Sequence, residues 1–110
     1  MKMENQTLLR TKQYLMPNYG ELGIEIVYGL GSEVVIRDEQ GEEKKCFDFL
    51  CGLGVNSLGH CHPEVVEAIR RQAGKLMHVS NLYATAPMAM LAETLVNAVG
   101  YPGAKVFFCN

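Results

Sequence analysis

No run of about 18 apolar residues occurs in the chain, so nothing in the sequence reads as a helical membrane span. Residues 1–16 lack the apolar stretch of a secretory signal; Lys2, Glu4, Arg10 and Lys12 are scattered through them. There is no basic excess either. Ten Lys and Arg stand against 12 Asp and Glu, for a formal net charge of −2, so the sequence lacks the cationic surface that neutralises nucleic-acid phosphates. Cysteine is sparse, 4 in 110 residues with no CxxC spacing, which argues against a disulfide scaffold. Nucleotide-binding and hydrolase motifs are missing too. There is no GxxxxGK[ST] and no GxSxG, and Gly52-Leu53-Gly54 begins a GxGxxG spacing only to meet Ser57 where the third glycine belongs. What remains is ordinary globular composition, 48% hydrophobic and 20% charged, which suits one small domain or a piece of a larger one, expected in the cytoplasm.

The local patterns predict an α/β chain that begins as helix plus small meander. Residues 5–16 read as a short helix, with Asn5 or Thr7 to cap it and Pro17 to stop it. Residues 24–28 alternate as a strand that Gly29-Leu30-Gly31 should break. Residues 33–37 and 45–49 flank Asp38-Glu39-Gln40-Gly41, whose Asp and Gly suit the first and fourth positions of a type I turn, so the two arms should pair antiparallel. Val34, Ile36 and Cys46 should share one face, with the charges of residues 42–45 at the solvated tip. Residues 51–62 are glycine-rich and lack helical period. Pro63 then opens a helix over 63–77, with a buried stripe of Val65, Val66, Ile69, Ala73, Leu76 and Met77 and with His78 capping its end. A second helix spans 87–99, between Pro87 and Gly100, with Met88, Leu91, Leu95 and Val99 as its stripe. Residues 105–109 form a short, continuously apolar segment of the kind buried on both faces of a central strand. Such a strand needs neighbours, so the segment is read as the first strand of a sheet that continues outside this chain.

The residues alone assemble no self-sufficient active site. His60 and His62 flank Cys61, but two ligands fall short of a closed metal site, and adjacent side chains cannot easily be turned on one another as thiolate and base. The four thiols are read as buried or half-buried small hydrophobes. Tyr19, Asn56, Asn81 and Tyr83 stand out as polar groups in irregular stretches, where sites concentrate.

The run Asp48-Phe49 followed by residues 54–63 (GVNSLGHCHP) resembles the N-terminal part of the class III aminotransferases, which use pyridoxal phosphate. Within that class, residues 56–60 together with Ser80-Asn81-Leu82-Tyr83, Leu91-Ala92-Glu93 and residues 106–110 are most similar to the members acting on N-acetylornithine. The resemblance runs from about Tyr14 to Asn110 and implies a fold-type-I architecture. Residues 1–80 would belong to the small domain and 81–110 to the start of the large cofactor-binding domain. It implies amino transfer to 2-oxoglutarate, small amino acid and 2-oxo acid substrates, and a homodimer. Position by position, Tyr19 matches a tyrosine near the substrate α-carboxylate. Leu53 matches a wall position where ornithine enzymes carry tyrosine. Asn81 belongs to the substrate-binding set as well, and Ser80, Asn81, Leu82 and Tyr83 match a stretch at the dimer interface. Glu21 departs from the pattern, at a position usually basic or neutral, and no Trp precedes the hairpin. The Schiff-base lysine, the acidic partner of the pyridine nitrogen and the phosphate-holding turn match nothing in residues 1–110, so no catalytic, cofactor-binding or metal residue is expected here and the chain alone is expected to be inactive. Ornithine or 4-aminobutyrate enzymes of the same class, or a non-catalytic α+β interaction module, are the rival readings.

Overall fold

A computed structural model describes residues 4–109. The chain divides into two compact units, one running up to Arg71 and the other from Gln72 onward.

The first unit is built on a three-stranded antiparallel sheet of order β1-β2-β3: β1 (Glu25–Leu30), β2 (Glu33–Arg37) and β3 (Glu43–Phe47). Gly29 does not break β1, as the sequence suggested. The strand continues to Leu30, which pairs with Glu33, so the chain reverses over Gly31 and Ser32, with Gly31 at φ +57°. Glycine is retained at position 29 for space: a Cβ there would lie 2.7 Å from His60 Cγ. A bulge between Ile26 and Tyr28 shifts the β1–β2 register, which alternation of residue types does not reveal.

The second hairpin forms as anticipated, with one displacement. Glu33 pairs with Phe47 and Arg37 with Glu43, so the second arm begins two residues nearer the turn than the expected 45–49, and residues 43–45 lie in the strand rather than at a solvated tip. The Gly41 N–H donates to the Asp38 carbonyl at 3.1 Å, and Asp38 Oδ1 accepts from the N–H groups of Gln40 and Glu42. Three local bonds close the turn so tightly that pairing starts sooner. Val34 and Cys46 are direct partners, and Val34, Ile36 and Cys46 share a face as expected; of these Val34 is buried and the other two half-buried.

Helix α1 (Gln6–Tyr14) is capped by Asn5, whose Oδ1 accepts from Thr7 and Leu8 N–H at 3.0 and 3.3 Å. The same amide donates to Glu25 Oε2 at 3.0 Å and to the Asp38 carbonyl at 3.2 Å, while Asn5 N–H donates to Glu39 O. One buried side chain thus starts the helix and fastens it to β1 and the hairpin loop. Arg37 bridges Glu25 and Glu43 beside it. Thr7, Asn5 and Arg37 together hold the Glu25 carboxyl below its ordinary pKa.

Beyond β3 a short turn, α2 (Cys51–Gly54), leads by a loop to α3 (Pro63–Ala73). Helix α3 stops before the expected Met77. Gly74 costs about 1 kcal/mol in a helix interior, and Gln72 offers a substitute, its carbonyl accepting from Lys75 and Leu76 N–H and its amide donating to Leu76 O at 2.7 Å. His78 therefore lies in the connector and caps nothing. The α3 stripe is amphipathic but not buried: Val65, Ile69, Leu76 and Met77 are exposed.

In the second unit, α4 (Ala86–Val99) begins after Thr85 with proline in its first turn and ends on Gly100 at φ +65°. Its better-covered residues are Met88, Ala92 and Val96, whereas Leu91, Leu95 and Val99 of the expected stripe are exposed. Residues 104–109 join no sheet among the described residues, and coverage alternates along them, with Val106 and Phe108 half-buried and Phe107 exposed. A strand is completed by neighbouring strands' hydrogen bonds, and no strand among the described residues supplies them; Phe108 O accepts instead from the Asn81 side chain. Asn110, the last residue of the expected large-domain segment 81–110, lies outside the described residues, as do residues 1–3 of the expected small domain.

Candidate substrate-site walls

The most constrained backbone in the first unit lies between Asp48 and His60. Cys51, Gly52, Leu53 and Gly54 all have positive φ, at +51°, +62°, +61° and +80°. The chain therefore makes a left-handed turn, although two of its four residues carry a Cβ. Each such residue costs roughly 1–2 kcal/mol in this region, and strain of this kind persists only where the surroundings over-determine it.

Those surroundings are specific. Asp48 Oδ1 accepts from Leu50 N–H at 2.8 Å and from Cys51 N–H at 3.0 Å, fixing the start of the turn. Gly54 N–H donates to Leu50 O and Asn56 N–H to Cys51 O, closing it; Gly59 N–H then donates to Asn56 O. At the far end His60 exchanges both backbone bonds with Gly31, at 2.8 and 2.9 Å. Gly59 passes so close to that residue that a Cβ would lie 2.9 Å from the Gly31 backbone. Finally His60 Nε2 lies 2.7 Å from Asp48 Oδ2. Cys51 N–H, His60 and Leu50 N–H, in that order, hold the Asp48 carboxyl below its usual pKa. An ionised carboxylate only accepts, so the proton sits on His60 Nε2.

His60 is committed to Asp48, Cys61 is exposed at φ +54°, and no group of three potential metal ligands occurs among the described residues. Cys46 and Cys51 are half-buried, but Cys109, like Cys61, is exposed, contrary to the buried reading of the thiols.

Leu53 projects from the left-handed turn with 83% of its surface exposed. Tyr19 is also exposed and lines a cavity of about 520 Å³ with Lys12, Leu15, Pro17, Glu21 and Leu22; Leu53 does not line it. Lys12 is paired there with Glu39 at 3.1 Å, and that contact raises its pKa. In the second unit Ser80 has φ +70°, Asn81 Nδ2 donates to Phe108 O at 3.0 Å, and Leu82 and Tyr83 are exposed. Ser80 and Asn81 line two cavities, of about 190 and 420 Å³, one including Tyr83 and the other Phe108. Asp48 and the side-chain role of His60 were not picked out from the sequence. The available signal was Asp48 ahead of an irregular glycine-rich stretch, where an aspartate bonds N–H groups two and three residues on.

A family model described as Aminotransferase class-III matches residues 17–110, and the chain belongs to that family. Among curated relatives, the acetylornithine aminotransferase of Methanocaldococcus jannaschii is 49% identical over 110 residues, all of this chain and 26% of the relative. That of Aquifex aeolicus is 47% identical over 97 residues, 88% of this chain and 24% of the relative. The chain thus spans about a quarter of the length of the curated relatives it matches. Among solved structures, Plasmodium falciparum ornithine delta-aminotransferase superposes with a TM-score of 0.76 at 26% identity, covering 94% of this chain and 26% of that one. Acetylornithine aminotransferase from Elizabethkingia anophelis gives 0.74 at 27%, covering 86% and 24%. The small antiparallel sheet with its helices is thus an N-terminal portion of the aminotransferase fold.

Proposed function

We propose that this chain is the N-terminal part of a cytoplasmic, homodimeric aminotransferase that moves the amino group of N-acetylornithine to 2-oxoglutarate, a step of arginine biosynthesis. The observation that carries the reading is 49% identity across all 110 residues to a relative named for that substrate. Among the described residues no helix is long and apolar enough to cross a membrane. In this reading residues 1–80 belong to the small domain and 81–110 open the large one. Tyr19, Leu53 and Asn81 line the substrate site, and Ser80, Asn81, Leu82 and Tyr83 meet the second subunit. An aliphatic residue at position 53 suits a neutral acyl-amide end of the donor, because it offers no hydrogen bond to a free ammonium.

The family implies pyridoxal phosphate, which would serve as the electron sink for amino transfer. The residues described do not make a complete site for it. Lys12 borders a cavity, but Glu39 holds its ammonium in the charged form, whereas a Schiff-base amine must be neutral. Lys44, Lys45, Lys75 and Lys105 are exposed. In the proposed enzyme the reacting lysine and the phosphate donors therefore come from outside residues 4–109, and this chain supplies walls of the amino-donor site. The test is a steady-state assay of the enzyme carrying this chain, with N-acetylornithine, ornithine and 4-aminobutyrate as competing donors to 2-oxoglutarate. The highest kcat/KM is expected for N-acetylornithine. A preference for ornithine, which the likeness to ornithine aminotransferase structures makes the second reading, would overturn the substrate assignment. Absence of amino transfer from all three would overturn the function.

A further inference from the structure

Leu53 has no packing of its own to aim it. Its side chain is exposed and its backbone sits where a residue with a Cβ resists staying, so its direction is dictated by whatever holds the turn. Glycine at position 53 would remove the strain, as it does at 52 and 54, yet an apolar side chain stands there. Residues 48–60 are held at both ends on the β1–β2 turn, where Asp48 N–H donates to Ser32 O at 2.9 Å and His60 pairs with Gly31. The two ends are joined through one carboxylate, whose Oδ1 fixes the start of the left-handed turn and whose Oδ2 accepts a hydrogen bond from His60 Nε2–H. Both side chains are largely shielded, at 24% and 17% exposure for His60 and Asp48, so water competes weakly for that bond.

We infer that Asp48 and His60 form a clasp that holds Leu53 at its left-handed corner, and that both are positioning residues for selection of the amino donor. The inference rests on the reading of Leu53 as a wall of the substrate site. Without the His60–Asp48 bond the carboxylate is free to swing, the N–H groups of Leu50 and Cys51 lose their fixed acceptor, and the turn relaxes toward right-handed backbone, moving the Leu53 side chain. His60 contributes through its Nε2 donor, so a neutral donor of similar reach should replace most of its effect.

The experiment uses the aminotransferase carrying this chain and compares His60→Leu, Asp48→Asn, His60→Gln and Leu53→Ala with the parent. His60→Leu and Asp48→Asn are each expected to lower the ratio of kcat/KM for N-acetylornithine over ornithine about tenfold, chiefly through the amino-donor KM. The KM for 2-oxoglutarate should stay within about twofold, and His60→Gln, whose amide can reach Asp48, should restore most of the ratio. A merely structural role would reduce active enzyme and scale every rate equally, leaving the ratio untouched. Asp48→Asn still accepts from Leu50 and Cys51 N–H, so it decides the matter if His60→Leu does not fold; failure of both to fold would make the clasp a folding element and overturn the positioning role. A ratio that moves in Leu53→Ala but not in the clasp variants refutes the clasp and leaves the wall reading standing. A ratio unmoved in all of them, Leu53→Ala included, overturns both.

Discussion

Replacing Gly59 by alanine tests the close approach of residue 59 to the Gly31 backbone. Two separate costs arise there. The residue has φ +82°, so a Cβ brings the left-handed penalty of roughly 1–2 kcal/mol, and that Cβ would also stand 2.9 Å from Gly31 backbone atoms. Backbone cannot rotate aside as a flexible side chain can, and Gly31 is doubly bonded to His60. Overpacking of this sort costs about 1–3 kcal/mol. Gly54 isolates the first cost, since its φ is +80° and an added Cβ there meets nothing within 4 Å. The gap between Gly59→Ala and Gly54→Ala should therefore be the clash alone, about 1–3 kcal/mol. With a urea slope near 1 kcal/mol/M for a chain of this size, the midpoint of Gly59→Ala should fall below that of Gly54→Ala by about 1 M or more. Circular dichroism at helical wavelengths is the readout, since the chain has no tryptophan to report by fluorescence. Coincident midpoints for the two variants would mean that His60 does not pair with Gly31 as described, and the support for the left-handed turn would go with it.

Asn5→Ala removes a helix cap and a tie to Glu25 and Asp38 together, so it should destabilise the chain by about 1–3 kcal/mol in the same unfolding assay, while Gln6→Ala should do little. Loss confined to a few tenths would show that α1 is not anchored through this side chain. The Asp48 carboxyl has a native pKa below its unfolded value, so its contribution is present above the ordinary carboxylate range and is lost as pH falls through the depressed native value. Stability of the parent should therefore drop more steeply on acidification than that of Asp48→Asn; parallel curves from neutral pH to the acid limit would contradict the pairing. In the intact enzyme, Leu53→Tyr should shift preference from N-acetylornithine toward ornithine, since a phenol can hydrogen-bond a charged amine; equal relative kcat/KM in parent and variant would remove Leu53 from the specificity determinants. Borohydride trapping of the 110-residue chain with added pyridoxal phosphate, followed by peptide mapping, should give scattered substoichiometric labelling of exposed lysines, and one saturable adduct at a single lysine would refute the absence of a cofactor site here.

A cap for α1 at Asn5 or Thr7, the Asp38–Gly41 turn, and Pro87 and Gly100 near the ends of α4 were legible in the residues themselves, because each rests on groups within four positions of one another; the structure chooses Asn5 as the cap. The family was legible from the run of residues 48–63 with Ser80–Tyr83, whereas the backbone conformation at Leu53 was not. Its left-handed backbone is held by a carboxylate and an imidazole 12 positions apart, and by a glycine in the β1–β2 turn, so it exists only once the sheet has formed. The same holds for Gly29, which reads as a strand breaker until the His60 ring is packed over it. Residues 105–109 make the converse point: an apolar run specifies that a segment can be a strand, but only neighbouring strands, by accepting and donating its backbone hydrogen bonds, can make it one.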